Sequence, residues 1–198
     1  MQVLSIDSDM KHYQQRLSTS SRSDHFRPLF LFLLAVMQLR RHTLSNQRED
    51  LDSVIVHLTE SILLPTLSWL QHAREHGPLI LNALFYLARA LLLRSEVTKQ
   101  PEDIISATKF LFHLRDQPHE IPIIPRHQVT DLLVQTLALQ VKLETRNVMQ
   151  NIGDIAILSR ELLTLEASDI DTTGLIDFIW KVAISKKKSS TCSGSTAG

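Results

Sequence analysis

Hydrophobic residues recur at helical spacing in the middle of the chain, on both sides of a polar turn. The first stripe has the spacing i, i+3, i+4, i+7 and i+8 of a helix packed on one face, and it consists of Leu84, Leu87, Ala88, Leu91 and Leu92. A second stripe follows the turn and consists of Ile104, Ala107, Leu111 and Leu114. Pro101 suits the first turn of this second helix, because its missing N–H would have no intrahelical acceptor there. The pattern predicts a complete helix-turn-helix unit over residues 79–116.

The same unit recurs along the chain at a spacing of about fifty residues. Asp50, Asp103 and Asp154 each precede an amphipathic segment, and they lie 53 and 51 residues apart. With the first offset, Arg41 corresponds to Arg94, and the agreement is closer for the first two copies than for the third. A period of this size with two helices per unit predicts an all-α fold, a right-handed α-solenoid of tetratricopeptide-like, helix-turn-helix units.

Turn residues and apolar periodicity divide the chain into a series of helices. The predicted helices cover residues 7–17, 28–42, 50–63, 78–97, 101–115, 127–148, 153–166 and 169–185. A short extra helix is expected at 66–70, before Gly77 and Pro78 restart the next unit, and three prolines make 117–126 an extended connector. We therefore expect a partial N-terminal unit and turn in 1–24, a helical repeat domain in 25–185 and a disordered tail in 186–198.

Composition excludes several classes of function. Lysine plus arginine equals aspartate plus glutamate at 21 each, so the basic excess of a nucleic-acid-binding surface is absent. The single cysteine, Cys192, permits no internal disulfide and suits a reducing compartment. The longest charge-free apolar run near the front, 28–37, is about half of the roughly 20 residues that span a bilayer. With no secretory signal at the start, we expect an intracellular, cytoplasmic protein without a membrane span.

The central unit resembles a known family of repeats. Pro78, the segment 81–84 (Leu-Asn-Ala-Leu), Arg94 and the segment 101–104 (Pro-Glu-Asp-Ile) with Ala107 are similar to divergent tetratricopeptide-like repeats of fungal proteins. Those repeats stand ahead of a caspase-like CHAT peptidase domain or beside NACHT-type NTPase domains. The match covers about 27–165. It departs from the family pattern at Gln135 and Lys142 in the third copy, and in the first copy no pair of asparagines precedes Leu34 and Ala35. The resemblance implies a scaffold or regulatory array and no chemistry for these residues.

One short motif carries possible metal chemistry. His72, Glu75 and His76 fit the H-x-x-E-H pattern of inverted zinc peptidases, in which two histidines one turn apart bind zinc and the glutamate activates water. The motif directly precedes Gly77 and Pro78, where the helix is expected to stop, and no further ligand is evident. The alternative is a polar helix end facing water, and we favour it because short motifs often match by chance.

No other pattern indicates catalysis or a cofactor. Cys192 stands in a Ser/Gly-rich tail that offers no rigid base, and the scattered glycines form no phosphate-binding loop. Arg41 and Arg94, at matching repeat positions, are the best candidates for an interaction surface. Their alternative role is to cap helix-end carbonyls or to pair with Glu49 and Glu102.

The sequence therefore favours a non-enzymatic scaffold or regulatory module that binds a protein or peptide partner through a concave face formed mainly by the first helices of the units. Two alternatives remain open. One is a zinc-dependent hydrolase acting through residues 72–76, and the other is a structural fragment of a larger multidomain protein, such as a CHAT- or NACHT-containing one.

Overall fold

The computed structural model describes residues 2–45, 48–67, 69–117, 124–143 and 148–165. Within these ranges the chain is all-α and contains no strand. The described ranges contain seven helices, α1 (Gln2–Thr19), α2 (Arg27–Ser45), α3 (Arg48–Leu67), α4 (Trp69–Thr98), α5 (Pro101–Arg115), α6 (Arg126–Lys142) and α7 (Val148–Leu165).

Seven of the eight main predicted helices are confirmed with shifted ends. The short extra helix expected at 66–70 is wrong, because α3 continues to Leu67 and α4 begins at Trp69. α5 has the predicted bounds, with Pro101 in its first turn and Glu102 and Asp103 beside the positive end of the helix dipole. α6 ends at Lys142 rather than Val148, and α7 begins five residues before the predicted start. The helix predicted at 169–185 and the tail at 186–198 lie outside the described residues.

The expected break at Gly77 and Pro78 is wrong. α4 runs from Trp69 to Thr98 through both residues, with Pro78 inside the helix. Pro78 removes one backbone hydrogen-bond donor from α4, and the burial of the helical turns that follow it outweighs this local cost. Four residues later, Asn82 Nδ2 donates a hydrogen bond of 2.7 Å to the Pro78 carbonyl. Tertiary packing has thus overridden the local helix-breaking signal of the Gly-Pro pair.

The helices pack in chain order. Each one contacts the helix that follows it, and α2 also touches α4, as α4 touches α6. The α2–α4 contact includes Phe32 and Tyr86, whose rings meet edge to face with centroids 5.7 Å apart. In the described part of the chain, no backbone contact joins α1 to α3, α3 to α5 or α5 to α7. The first helices of successive units are therefore closer together than the second helices.

α4 lies at the centre of one hydrophobic core that extends from α2 to α7. Equivalent leucines of two units, Leu58 and Leu111, are fully buried in it. A smaller cluster of Ile6, Met10 and Leu34 attaches α1. The segment Gly77–Thr98 is, within the described ranges, the one long and apolar enough to cross a membrane, and 44% of it is buried. Core helices of soluble proteins can be equally long and apolar, so the apolarity of this segment fits the central position of α4.

Candidate functional site

Arg94 joins three consecutive helices near the end of α4. Its Nε and Nη2 atoms donate to the two carboxylate oxygens of Asp103 at the start of α5, over 2.8 and 2.7 Å. Its third nitrogen, Nη1, donates to Asp52 on α3 over 3.0 Å. This fork-to-fork geometry matches the planar guanidinium to a carboxylate and is the stronger form of ion pair.

Arg41 makes the same arrangement one unit earlier, atom for atom. Nε donates to Asp50 Oδ2 over 3.0 Å, and Nη2 donates to Asp50 Oδ1. Nη1 again reaches the preceding second helix, where it donates to Asp7 of α1 over 3.2 Å. We call each such set, an arginine of a first helix with the aspartates of the two flanking second helices, a guanidinium clamp.

In each clamp, the arginine and the aspartate that it binds through two hydrogen bonds are largely sheltered from solvent. Each arginine side chain is 26% exposed, while those of Asp50 and Asp103 are 5% and 8% exposed. The hydrogen bonds to these carboxylates raise the pKa of both arginines, against the opposing effect of burial. For Arg94, the predicted pairing with Glu102 is therefore corrected by one residue, to Asp103. Arg41 pairs with Asp50, and the side chain of Glu49 lies outside what the structure describes. Arg41 and Arg94 as an interaction surface remain a prediction.

In the third unit, amide residues occupy the positions of the clamp residues. An offset of 46 residues places the buried Leu87 and Leu91 of α4 on the buried Leu133 and Leu137 of α6, and it places Arg94 on Gln140. In the second helices, an offset of 48 residues places Ala107, Leu114 and Asp103 on Ile155, Leu162 and Asn151, which is 6% exposed. Gln140 also contacts the preceding second helix, because it accepts a hydrogen bond of 3.4 Å from Thr108. Asp154, which the sequence matched to Asp103, lies within α7, in its second turn.

A second ion pair recurs between the first and third units. Arg27, the first residue of α2, lies 3.2 Å from Glu60 of α3. The two offsets between successive units together place this pair on Arg126 and Glu161, which lie 3.7 Å apart in α6 and α7. Glu161 also accepts a bond of 2.8 Å from Arg115 of α5. Sequence reasoning missed these pairs, because a single offset per unit does not align both helices.

A partly buried histidine joins α2 to α3. His57 Nδ1 lies 2.8 Å from Oε1 of Gln38, a buried amide. Burial lowers the pKa of His57, and the nearby charge of Glu60 opposes that shift only in part. The imidazole is therefore held in its neutral form at neutral pH.

The backbone of the H-x-x-E-H motif forms part of α4, so His72, Glu75 and His76 stand in a continuous helix rather than at a helix end. The side chains of these three residues lie outside what the structure describes. Among the described residues, no group of three or more histidines, cysteines, aspartates or glutamates is placed to hold a metal.

The first helices present a second, partly exposed stripe, in which Tyr86, Leu93 and Leu139 also pack against the edge of the core. On α2 it consists of Leu29, Leu33, Val36 and Arg40, at i, i+4, i+7 and i+11. The equivalent positions of α4 include Tyr86, Arg89 and Leu93, and those of α6 include Gln135 and Leu139. Arg40, Arg89 and Gln135 are exposed, and the apolar members other than Leu29 are partly buried. We call these nine residues the first-helix face.

Comparison with known proteins identifies no relative. No family model matches the chain, and no curated protein or solved structure matches it. The similarity to fungal tetratricopeptide-like repeats therefore stays a prediction that rests on the residues of the central unit.

Proposed function

We propose that the chain is an α-solenoid of helix-turn-helix units and acts as a non-enzymatic scaffold for protein–protein interaction. The observation that carries the proposal is the pattern of helix contacts. Each helix packs on its chain neighbours, and the backbones of successive first helices touch. In the described part of the chain the backbones of second helices make no such contact, although Arg115 of α5 reaches Glu161 of α7 through its side chain. In a stack of helix pairs, the side on which like helices approach more closely is the inner side of the curve. First helices would then line a concave surface, which is where helical repeats bind partners.

The first-helix face has the composition of a partner-binding surface. It combines partly exposed leucine, valine and tyrosine side chains with two exposed arginines, Arg40 and Arg89. Aromatic residues and arginine are enriched where protein interfaces are buried most fully. α2 and α4 meet at this face, because the ring of Tyr86, a member of the face, contacts Phe32 of α2.

The guanidinium clamps contribute to such a function through rigidity. Each clamp fixes the angle between three helices, so the spacing of the first helices is set before a partner arrives. A preorganised surface loses less conformational entropy on binding than a flexible one, and this favours affinity.

The experiment is quantitative affinity capture with the whole chain. We expect the double variant Arg40→Glu with Arg89→Glu to lose the captured partners while keeping the wild-type melting temperature. Arg16→Glu, an exposed arginine of α1, is the matched charge-reversal control and should retain them. A partner set that is unchanged in the double variant would count against the first-helix face.

A further inference from the structure

A second surface lies on the other side of the helix pairs, away from the first helices. The turn between α1 and α2 and the outer side of α3 enclose an open groove of about 740 Å³. We call it the α3 groove, and its lining consists of Arg22, Ser23, Ile55, Val56, Thr59, Glu60, Leu63 and Leu64. The walls are mostly apolar, a composition typical of ligand and peptide sites.

Large apolar side chains are exposed in this groove, although the packing of the repeated units does not require apolar residues there. Val56 is 61% exposed and Leu63 is 55% exposed. At the equivalent positions 53 residues later, the chain carries Lys109 within α5 and Asp116 directly after its end. Stacking of units therefore tolerates polar residues at these two positions. The apolar residues at these positions of α3 therefore need a local explanation, and contact with a partner provides one.

The charges around the groove are unbalanced. The carboxylate of Glu60 is bound by Arg27 of α2, at 3.2 and 3.3 Å from its Nη2 and Nε atoms. The remaining charged side chain in the lining is that of Arg22, which is exposed. The rim thus presents a positive charge beside an apolar floor.

The α3 residues of the floor lie on three successive turns, at 55–56, 59–60 and 63–64. At 1.5 Å of rise per residue, this floor is about 13 Å long, the length of two to three turns of a bound helix. We infer that the α3 groove binds an amphipathic helix of a partner protein, with its apolar stripe on Val56 and Leu63 and an acidic residue beside Arg22. Helix-in-groove recognition uses apolar anchors at i, i+3, i+4 and i+7, which fit a floor of this length.

The test is selection of binders from a phage-displayed library of helix-forming peptides, followed by fluorescence anisotropy of the selected peptides. We expect enrichment of amphipathic peptides that carry at least one aspartate or glutamate. Their affinity should fall at least tenfold for Val56→Glu and for Leu63→Glu. Val97→Glu is the matched control, since Val97 is a 53% exposed valine outside the groove, and it should bind as wild type does.

The acidic contact has its own test by charge exchange. Arg22→Glu should weaken the selected peptides by about threefold to tenfold, as expected for reversal of a solvent-exposed ion pair. Replacing the acidic residue of the peptide by lysine should restore binding to this variant. Loss without restoration would overturn the assignment of the acidic contact to Arg22.

Three other results would overturn the proposal. The first is that no peptide is enriched on the wild-type protein over a Val56→Glu, Leu63→Glu double variant. The second is that the selected peptides bind wild type and this variant equally. The third is a wild-type dimer that the double variant converts to monomer. The last result would assign the groove to a second copy of the chain. The Arg40→Glu, Arg89→Glu variant should still bind the selected peptides, so failure here is distinguishable from failure of the first-helix face.

Discussion

Arg94 and Asp103 are nine residues apart in the chain and are joined by two parallel hydrogen bonds, with Arg94 also bound to Asp52 of the preceding unit. Arg41 repeats this arrangement with Asp50 and Asp7. Each guanidinium therefore connects a first helix to the second helices on both sides. The contacts within a unit and between units depend on the same side chain, and this leads to unequal roles for the two aspartates.

Removing the sheltered aspartate should cost far more than removing the exposed one. Asp103→Ala leaves a guanidinium that is only 26% exposed with a single partner. We expect a loss of about 2 kcal/mol, less than the roughly 3–5 kcal/mol for breaking a fully buried pair. Asp52 is 64% exposed, so Asp52→Ala should cost less than about 1 kcal/mol. Urea unfolding measures both, as midpoint shifts at constant m-value. Equal losses would show that the bidentate pair is not what stabilises the junction.

The third unit should accept a clamp that it lacks. Asn151→Asp alone places a carboxylate at a position that is 6% exposed, and we expect a cost of about 2 kcal/mol or more. Adding Gln140→Arg should recover at least half of that loss, because Gln140 occupies the position of Arg94. Thermal melts of the two single variants and the double variant give the coupling energy. A double variant no better than the sum of its parts would refute the equivalence of these positions.

Core leucines of two units should act independently. Leu58 and Leu111 are both fully buried, and the backbones of their helices α3 and α5 make no contact in the described part of the chain. We expect Leu58→Ala and Leu111→Ala to cost about 3 kcal/mol each, and the pair to add within about 0.5 kcal/mol. Ile157→Ala, at a 64% exposed position, should cost less than about 0.5 kcal/mol. Strong coupling between the two leucines would contradict packing limited to neighbouring helices.

Acid should weaken the α2–α3 contact through His57. Its pKa is lowered in the native state, so the unfolded chain binds the proton first as pH falls below about 6.5. The free energy of unfolding then decreases with falling pH and levels off below the native pKa. The other histidines titrate too, so the measurement is the stability difference between wild type and His57→Gln at several pH values. That difference should shrink from neutral pH toward pH of about 5, and a constant difference would exclude this contribution.

The turn between α4 and α5 contains a strained residue. Lys99 has a φ of 59°, in the left-handed region that glycine adopts without steric cost, and its N–H donates to the Ser95 carbonyl over 2.8 Å. We expect Lys99→Gly to stabilise the protein by about 0.5 kcal/mol and Lys99→Val to destabilise it by about 1 kcal/mol. Lys109→Gly, within α5, is the control and should cost about 1 kcal/mol. Calorimetric melts give all three values.

The sequence predicted the clamps as equivalent positions but not as ion pairs with the right partners. Repetition at 53 residues identified both arginines because units one and two have the same turn length, so one offset aligns both helices. Which of two adjacent acids meets the arginine depends on helical phase. Asp103, Ala107, Leu111 and Leu114 share the buried side of α5, while Glu102 is exposed. That stripe was present in the sequence and would have distinguished the two acids.

The third unit was predicted less well because its turn differs. Gln140 and Asn151 are eleven residues apart, against nine for each arginine and its aspartate. A single offset therefore matched Asp103 to Asp154, which lies in the second turn of α7. The continuity of α4 through Pro78 was likewise not predictable from local signals, because it depends on packing with other helices. The α3 groove depends on the placement of the α1–α2 turn, which no periodicity specifies.

The replacement of charged clamps by amides in the third unit has a mechanical consequence. Neutral hydrogen bonds are weaker than those between a guanidinium and a carboxylate. The charged contacts that hold α7 come instead from Arg115 and Arg126, and both go through Glu161. Under tension, the attachment of α7 should therefore depend on this one carboxylate, whereas each of the first two units has a clamp of its own.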